Sequence, residues 1–252
     1  PLQDVIDNIF VKYNVKEGKF KKATFQVFTT NTLHIGKQKF LRCGARYRAF
    51  WDVHGGLLFE GKTRYPIVKL GSLMKLHRTR TLKKGVLDRE YILIELEDIE
   101  QKTGKILNIH RVVTEIGSDK IYFGDADLLT TKLRPYLGYT ILNIPELELI
   151  GTTELLPFKV NKNRAYPAYL KYLLLSHEYL EKSKFLMYGK EHPRIHLLDI
   201  LNIRVPLPDL QIQERIISDI QKQEKINDKA KYKLEMYRNR INKTILSYLT
   251  AN

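Results

Sequence analysis

The feature that most constrains the fold lies in the last quarter of the chain. Val205-Pro206-Leu207-Pro208 is followed by Asp209 and then by a run to the C-terminus that lacks proline and glycine. Proline fixes φ and drives the residue before it to extended geometry, so no helix can run back through Pro206 and Pro208. Asp209 has the short acceptor side chain of an N-cap. The pattern predicts a short apolar strand, a rigid stop and one long helix from Asp209 to about Leu249. On that helix Ile226, Ala230, Leu234, Tyr237, Ile241, Ile245 and Tyr248 recur at steps of four or three, and Lys, Arg, Glu, Asp and Asn occupy the other faces. A narrow apolar stripe on a long polar helix suits pairing with another helix. The expected role is a spacer or docking arm, set against a second copy or a partner subunit.

Composition narrows the partners. The 252 residues carry a formal charge of +15 and are 43% hydrophobic, enough for a substantial core. So basic a chain is expected to meet a polyanion, with nucleic acid the first candidate and anionic lipid the second. No stretch of about 20 apolar residues is present to span a bilayer, and the start, Pro1-Leu2-Gln3-Asp4, does not read as a signal peptide. A single cysteine, Cys43, excludes an internal disulfide and fits a reducing cytoplasm. An N-terminal Pro in place of Met leads to the expectation of a fragment or a processed product.

Periodicity divides the chain. Residues 1–64 read as an extension, or the tail of an upstream domain. They hold a short helix over Pro1–Phe10, with Leu2, Val5, Ile6 and Ile9 on one face, and a strand at Thr24–Phe28. Arg42, Arg46 and Arg48 then mix with Tyr47, Phe50 and Trp51. Residues 65–208 read as a compact domain. Its strands are expected at Ile67–Leu70, Tyr91–Leu96, Ile121–Phe123, Asp127–Leu133, Tyr139–Leu142 and Glu154–Val160. Pro167 opens a helix with Tyr169, Leu170, Leu173 and Leu174 on one face, and a second helix spans Glu178–Met187. Residues 209–252 form the arm. The expected class is α+β: an irregular β-rich domain with a few helices, then one long C-terminal helix.

Three basic runs are candidates for DNA contact. His77–Gly85 contributes Arg78, Arg80, Lys83 and Lys84; Lys132–Tyr136 contributes Lys132, Arg134 and Tyr136; Tyr188–Arg194 contributes Lys190, His192 and Arg194. Arginine can fork two hydrogen bonds to a guanine edge, whereas lysine meets phosphate as a point charge. Each run lies at an element boundary, and together they would line a groove if the fold gathers them. Lys162-Asn163-Arg164 is a weaker candidate that also reads as a polar turn. Asp88 with Glu100 and Lys102 loosely fits the carboxylate-and-lysine set of metal-dependent nucleases, a spacing that chance supplies readily in a chain 28% charged. The histidines lack metal-ligand spacing, and neither a Walker loop nor a Gly-x-Ser-x-Gly elbow is present.

Several pieces resemble the specificity subunits of type I restriction–modification systems. Tyr65-Pro66-Ile67-Val68-Lys69-Leu70-Gly71 looks like the opening of a target-recognition domain. Tyr91–Gly104 and Asp127–Leu137 look like its internal strands. Ile203-Arg204-Val205-Pro206-Leu207-Pro208 with Gln213-Glu214-Arg215-Ile216 is the strongest piece, and the likeness covers about residues 65 to 250. The resemblance implies a target-recognition domain on a long spacer helix. It implies double-stranded DNA as ligand and a DNA adenine methyltransferase subunit or domain as partner, with S-adenosylmethionine held by that partner and no cofactor in this chain. It also implies self-association through the helix if the chain is a half-subunit. The alternative is the C-terminal part of a methyltransferase fusion, which residues 1–64 favour. No Asn/Asp-Pro-Pro-Tyr/Phe methylation motif is present, so the chain is not expected to be an enzyme on its own. The competing readings are a nuclease built on Asp88, Glu100 and Lys102, and a generic basic nucleic-acid scaffold.

Overall fold

The computed structural model describes residues 1–15, 45–59 and 63–249, with side chains of the last helix described as far as Ile241. The strand expected at Thr24–Phe28, Arg42 and Cys43 lie outside these residues, as do the side chains of Ile245 and Tyr248. Among the described residues, two sheets form the body. One has the order β10-β9-β12-β2, from Thr140–Leu142, Leu128–Thr131, Leu155–Val160 and Met74–Leu76. The other has the order β3-β8-β11-β4-β7, from Thr81–Leu82, Lys120–Tyr122, Leu149–Thr152, Gly85–Ile94 and Val112–Ile116. Strand β9 is buried at all four positions, as a continuous apolar and threonine run in a sheet interior should be. The paired hydroxyls of Thr130 and Thr140, 2.7 Å apart, satisfy each other there.

Strand β1 (Ile67–Lys69) pairs antiparallel with β15 (Arg204–Pro206), Ile67 opposite Pro206, so the two ends of the body lie side by side. Helices α3 (Pro167–Leu175) and α4 (His177–Leu186) pack against the sheets, and Ser176 caps α4 by accepting from the Tyr179 amide. Two short hairpins leave the body: β5–β6 (Ile99–Glu100, Lys105–Ile106) and β13–β14 (Met187–Tyr188, Arg194–Ile195). Gly104 turns the first at φ +64°, where a side chain would also collide with the Thr140 carbonyl.

The main core crosses the boundary expected at residue 64. Helix α1 (Leu2–Lys12) sends Ile6, Ile9 and Phe10 into the same cluster as Leu170, Leu173, Val205 and Ile216, and Phe50, just after helix α2 (Ala45–Arg48), and Leu58 join them. Phe10 makes edge contacts with Phe59 and Tyr169 at 5.7 and 6.1 Å. The apolar face read at Pro1–Phe10 is therefore a packing face within the body. Helix α5 (Leu197–Asn202) leads into β15, and α6 (Leu210–Leu249) is the long terminal helix.

Candidate nucleic-acid interface

Two of the three basic runs are built together. At the end of β9 the Thr131 hydroxyl bonds both the amide and the carbonyl of Leu133, which turns the chain outward. The Lys132 amide donates to Glu154 and its carbonyl accepts from Ile195, both at 2.9 Å. Arg134 adopts left-handed geometry, φ 44° and ψ 57°, which is unfavourable for a residue with a side chain. Surrounding bonds hold it: its amide donates to the Pro193 carbonyl at 2.8 Å and its guanidinium to the Glu191 carbonyl at 2.9 Å. Backbone strain of this kind persists only where neighbours over-determine it. Arg194 forks onto Glu154, with Nε at 3.0 and 3.1 Å and Nη2 at 2.7 Å, and this carboxylate raises the guanidinium's pKa. Arg194 thus ties the β13–β14 hairpin to the β11–β12 turn. Lys190 and His192 sit exposed on the hairpin's tip, and the Tyr188 ring stacks on His196 at 3.9 Å. Tyr136 faces the Lys184 ammonium at 5.8 Å.

The run His77–Gly85, expected at an element boundary, is partly sheet, because β3 pairs with β8 through Thr81 and Leu82. Arg80 donates to Asp88 through both terminal nitrogens at 3.2 Å, bonds the Tyr91 hydroxyl, and lies over the rings of Tyr91 and Tyr122. The bond from the Tyr91 hydroxyl, with a lesser contribution from Arg80, holds the Asp88 carboxyl below its ordinary range, and burial opposes them. Lys83 pairs with Asp119 at 2.8 Å, and Asp119 also accepts from the Lys84 amide. The bond from Lys83 is the main cause of the lowered Asp119 pKa. Arg78 is exposed.

Strand register relates this run to the other two. Leu82 is opposite Lys120, and Lys120 is opposite Thr152. Two strand spacings put Leu82 about 10 Å from Thr152, and Glu154, two residues further, carries Lys132 and Arg194. Lys83, Lys84, Lys132 and Lys190 therefore belong to one end of the body. Of these, Lys84, Lys132 and Lys190, like Arg78, make no ion pair among the described residues. Counter-ions were the part the sequence reading missed. Asp88, Asp119 and Glu154 decide which cations are occupied, and Glu154 lies 40 positions from Arg194, where no local pattern could flag it. Lys120, buried beside Glu95, was missed for the same reason.

The residues of the nuclease reading lie in separate settings. Asp88 is in the irregular part of β4 with Arg80 and Tyr91. Glu100 accepts from the Thr103 hydroxyl at 2.6 Å and faces Lys231 at 3.5 Å. Lys102, at φ 63°, makes the tip of the β5–β6 hairpin. Among the described residues no group of three or more His, Cys, Asp or Glu is placed to hold a metal.

The arm is launched as the prolines and Asp209 demand. Asp209 Oδ1 accepts from the Ile212 amide at 2.8 Å. Gln213, fully buried, accepts from the Tyr166 amide and donates to the carbonyls of Arg164 and Pro208. Ile216 and Ile220 enter the core. Polar links flank and follow them on one side. Asp219 meets Lys12 and Tyr13, Glu224 accepts from Tyr172 at 2.8 Å, and Asp228 pairs with Lys105. Burial lowers the pKa of Lys171, with the Glu224 charge opposing it. The stripe residues face solvent: Ile226 is 56%, Leu234 60% and Ile241 56% exposed, and Ala230 and Tyr237 are exposed with them. The stripe is thus not packed on the body. Among the described residues no helix is long and apolar enough to cross a membrane.

Comparison with known proteins follows this geometry. No curated protein sequence matches the chain. The fold is similar to the HsdS subunit of Thermoanaerobacter tengcongensis, with 20% identity and a TM-score of 0.52 over 71% of this chain and 48% of that one. It is similar, with 20% identity, a TM-score of 0.54 and the same coverage of each chain, to a chain from work on complex assembly and conformational transition of the type I R-M system. The chain spans about half the length of each of these structures. Residues 64–236, well over half of the sequence, match the family model of the type I restriction modification DNA specificity domain, and the chain belongs to that family.

Proposed function

We propose that the chain is the DNA-reading module of a type I restriction–modification system. It recognises a sequence in duplex DNA and places a separate DNA adenine methyltransferase, and with it the endonuclease, on that target. In this reading the chain is not itself the enzyme and works in the cytoplasm. The methyltransferase holds S-adenosylmethionine and receives the flipped adenine in its own pocket. The observation that carries the reading is the gathering of unpaired cations, exposed Lys84 and Lys190 and half-buried Lys132, at one end of a body from which a long helix projects. Lys84, Lys132 and Lys190 supply phosphate contacts, and Arg78 supplies a fork for a base edge.

Binding-site selection on random duplexes, repeated at several salt concentrations, tests this. One preferred sequence should emerge, and affinity should fall with salt at a log–log slope of about −0.9 per phosphate contacted. Salt-independent affinity, or binding without sequence preference, would leave only a generic scaffold. Magnesium-dependent cleavage by the isolated chain, abolished by Glu100→Gln, would instead establish the nuclease reading.

A further inference from the structure

Beyond Ile220 no described side chain of α6 is buried, so apolar packing does not fix the direction of the helix there. The body meets that stretch through polar groups on one line. Glu224 accepts from Tyr172, Asp228 pairs with Lys105, and Lys231 faces Glu100 at 3.5 Å. At about 100° per residue, positions 224, 228 and 231 share a sector about 60° wide, about 130° round the helix from the centre of the exposed stripe. Glu100 and Lys105 are cross-strand partners in the β5–β6 hairpin, and Asp228 and Lys231 are neighbours one turn apart on the helix. The four charges therefore alternate in sign round a ring, each flanked by two opposite charges.

The hairpin is itself held in place. At its tip the Lys102 amide donates to the carbonyls of Leu137 and Gly138, both at 3.2 Å, Gln101 donates to the Tyr139 hydroxyl at 2.9 Å, and Gln3 of α1 bonds the Lys102 carbonyl. A side chain at Gly138 would stand 2.9 Å from Lys102 Cα, so the tip lies flush on the backbone. We propose that the β5–β6 hairpin is a brace that sets the direction of the arm, with Glu100, Lys105, Asp228 and Lys231 as positioning residues for the enzyme that the chain places on DNA. This role rests on the chain placing a methyltransferase, as proposed above. A single exposed ion pair does little, favouring one position by a factor of at most about five, whereas pairs organised in a network on a fixed support act together. The helix rises about 1.5 Å per residue, so Ile241 lies about 32 Å beyond Ile220, and each degree of tilt at the base moves it by about half an ångström. A contact made near the base is thereby magnified at the far end.

Pulsed electron paramagnetic resonance on the full chain tests this. Cys43→Ser removes the one native thiol, and nitroxide labels go on Glu146→Cys in the body and Asn239→Cys in the arm, both exposed positions. Excess unlabelled chain restricts the measurement to distances within one molecule. With the native ring, low salt should give one narrow distance distribution, and about 1 M salt, which screens beyond about 3 Å, should broaden it. The hairpin swap Glu100→Lys/Lys105→Glu keeps the net charge and the cross-strand pair but sets like charges against the arm. It should broaden the low-salt distribution and move its mean by about 5 Å, equivalent to about 10° of tilt. Adding Asp228→Lys/Lys231→Glu inverts the whole ring and should restore the narrow distribution. The melting midpoint should stay within about 2 °C throughout. A distribution that ignores salt or the hairpin swap, or an inverted ring as broad as the hairpin swap alone, would overturn the brace. A broad native distribution at low salt would do so too, and so would a hairpin swap that melts the body, which would make the ring a folding contact. Neither DNA nor methyltransferase enters the measurement, so loss of site selection on random duplexes would count against DNA reading and leave this result standing.

Discussion

Arg78 and Arg80 stand two positions apart in one basic run and meet different surroundings. Arg80 is clamped by Asp88 and two tyrosine rings, whereas Arg78 is exposed without an ion pair among the described residues. Arg78→Ala is expected to relax sequence choice by about 1–3 kcal/mol of discrimination at one base pair, read by site selection. Arg80→Ala is expected to cost about 1 kcal/mol of stability, from one exposed ion pair and its ring contacts, with the preferred sequence unchanged. The reverse pattern in melting and selection experiments would exchange their roles. Asp219 allows a prediction about pH. The bond from Lys12, with help from Tyr13, holds its carboxyl below the ordinary range. A lowered native pKa adds stability that is fully present above the unfolded value of about 3.9 and is lost as pH falls through the native value. Acid titration should therefore unfold the wild type more steeply below about pH 4 than Asp219→Asn. Parallel acid limbs would mean that this contact does not form.

Within the elements, the terminal helix shows what local chemistry can specify. Two prolines, an Asp cap and an uninterrupted periodic run act over a few residues, so strand β15, the cap and helix α6 were all legible. Strands β9, β10 and β12 were legible through apolar runs bounded by turns. The sequence reading could place Gln213 at a helix start but not explain it, because its three partners come from Tyr166, Arg164 and Pro208, two of them far along the chain. That glutamine joins the helix base to the turn before α3. Gln213→Leu is expected to destabilise by about 3 kcal/mol, because it strands an amide and two carbonyls in a buried place. Urea unfolding would measure it, and a change under about 0.5 kcal/mol would mean that water replaces the side chain. The candidate interface was half legible for the same reason. The basic runs stand out in the sequence, but the carboxylates that occupy Arg80, Lys83 and Arg194 are brought in by sheet pairing and by a hairpin docked from elsewhere.

At the scale of the molecule, body and arm share one foundation. Helix α1, the base of α6 and helix α3 pack in a single core, so the body that carries the basic runs and the arm are mechanically joined. The pairing of β1 with β15 also orders events in time. Ile67 has no strand partner until Pro206 has been synthesised, and contacts so distant in sequence close late because loop entropy is lost before they form. A chain emerging from the ribosome therefore keeps Ile67–Lys69 without a strand partner until the strand just before the arm appears. A chain stopped after Asn202 should remain protease-sensitive, with no cooperative thermal transition. A chain stopped after Lys225 keeps β15, Gln213, Ile216 and Ile220, and it should melt as one unit. The residues that launch the arm are thus the last stitch of the body, and the arm is anchored only on a body that has already closed.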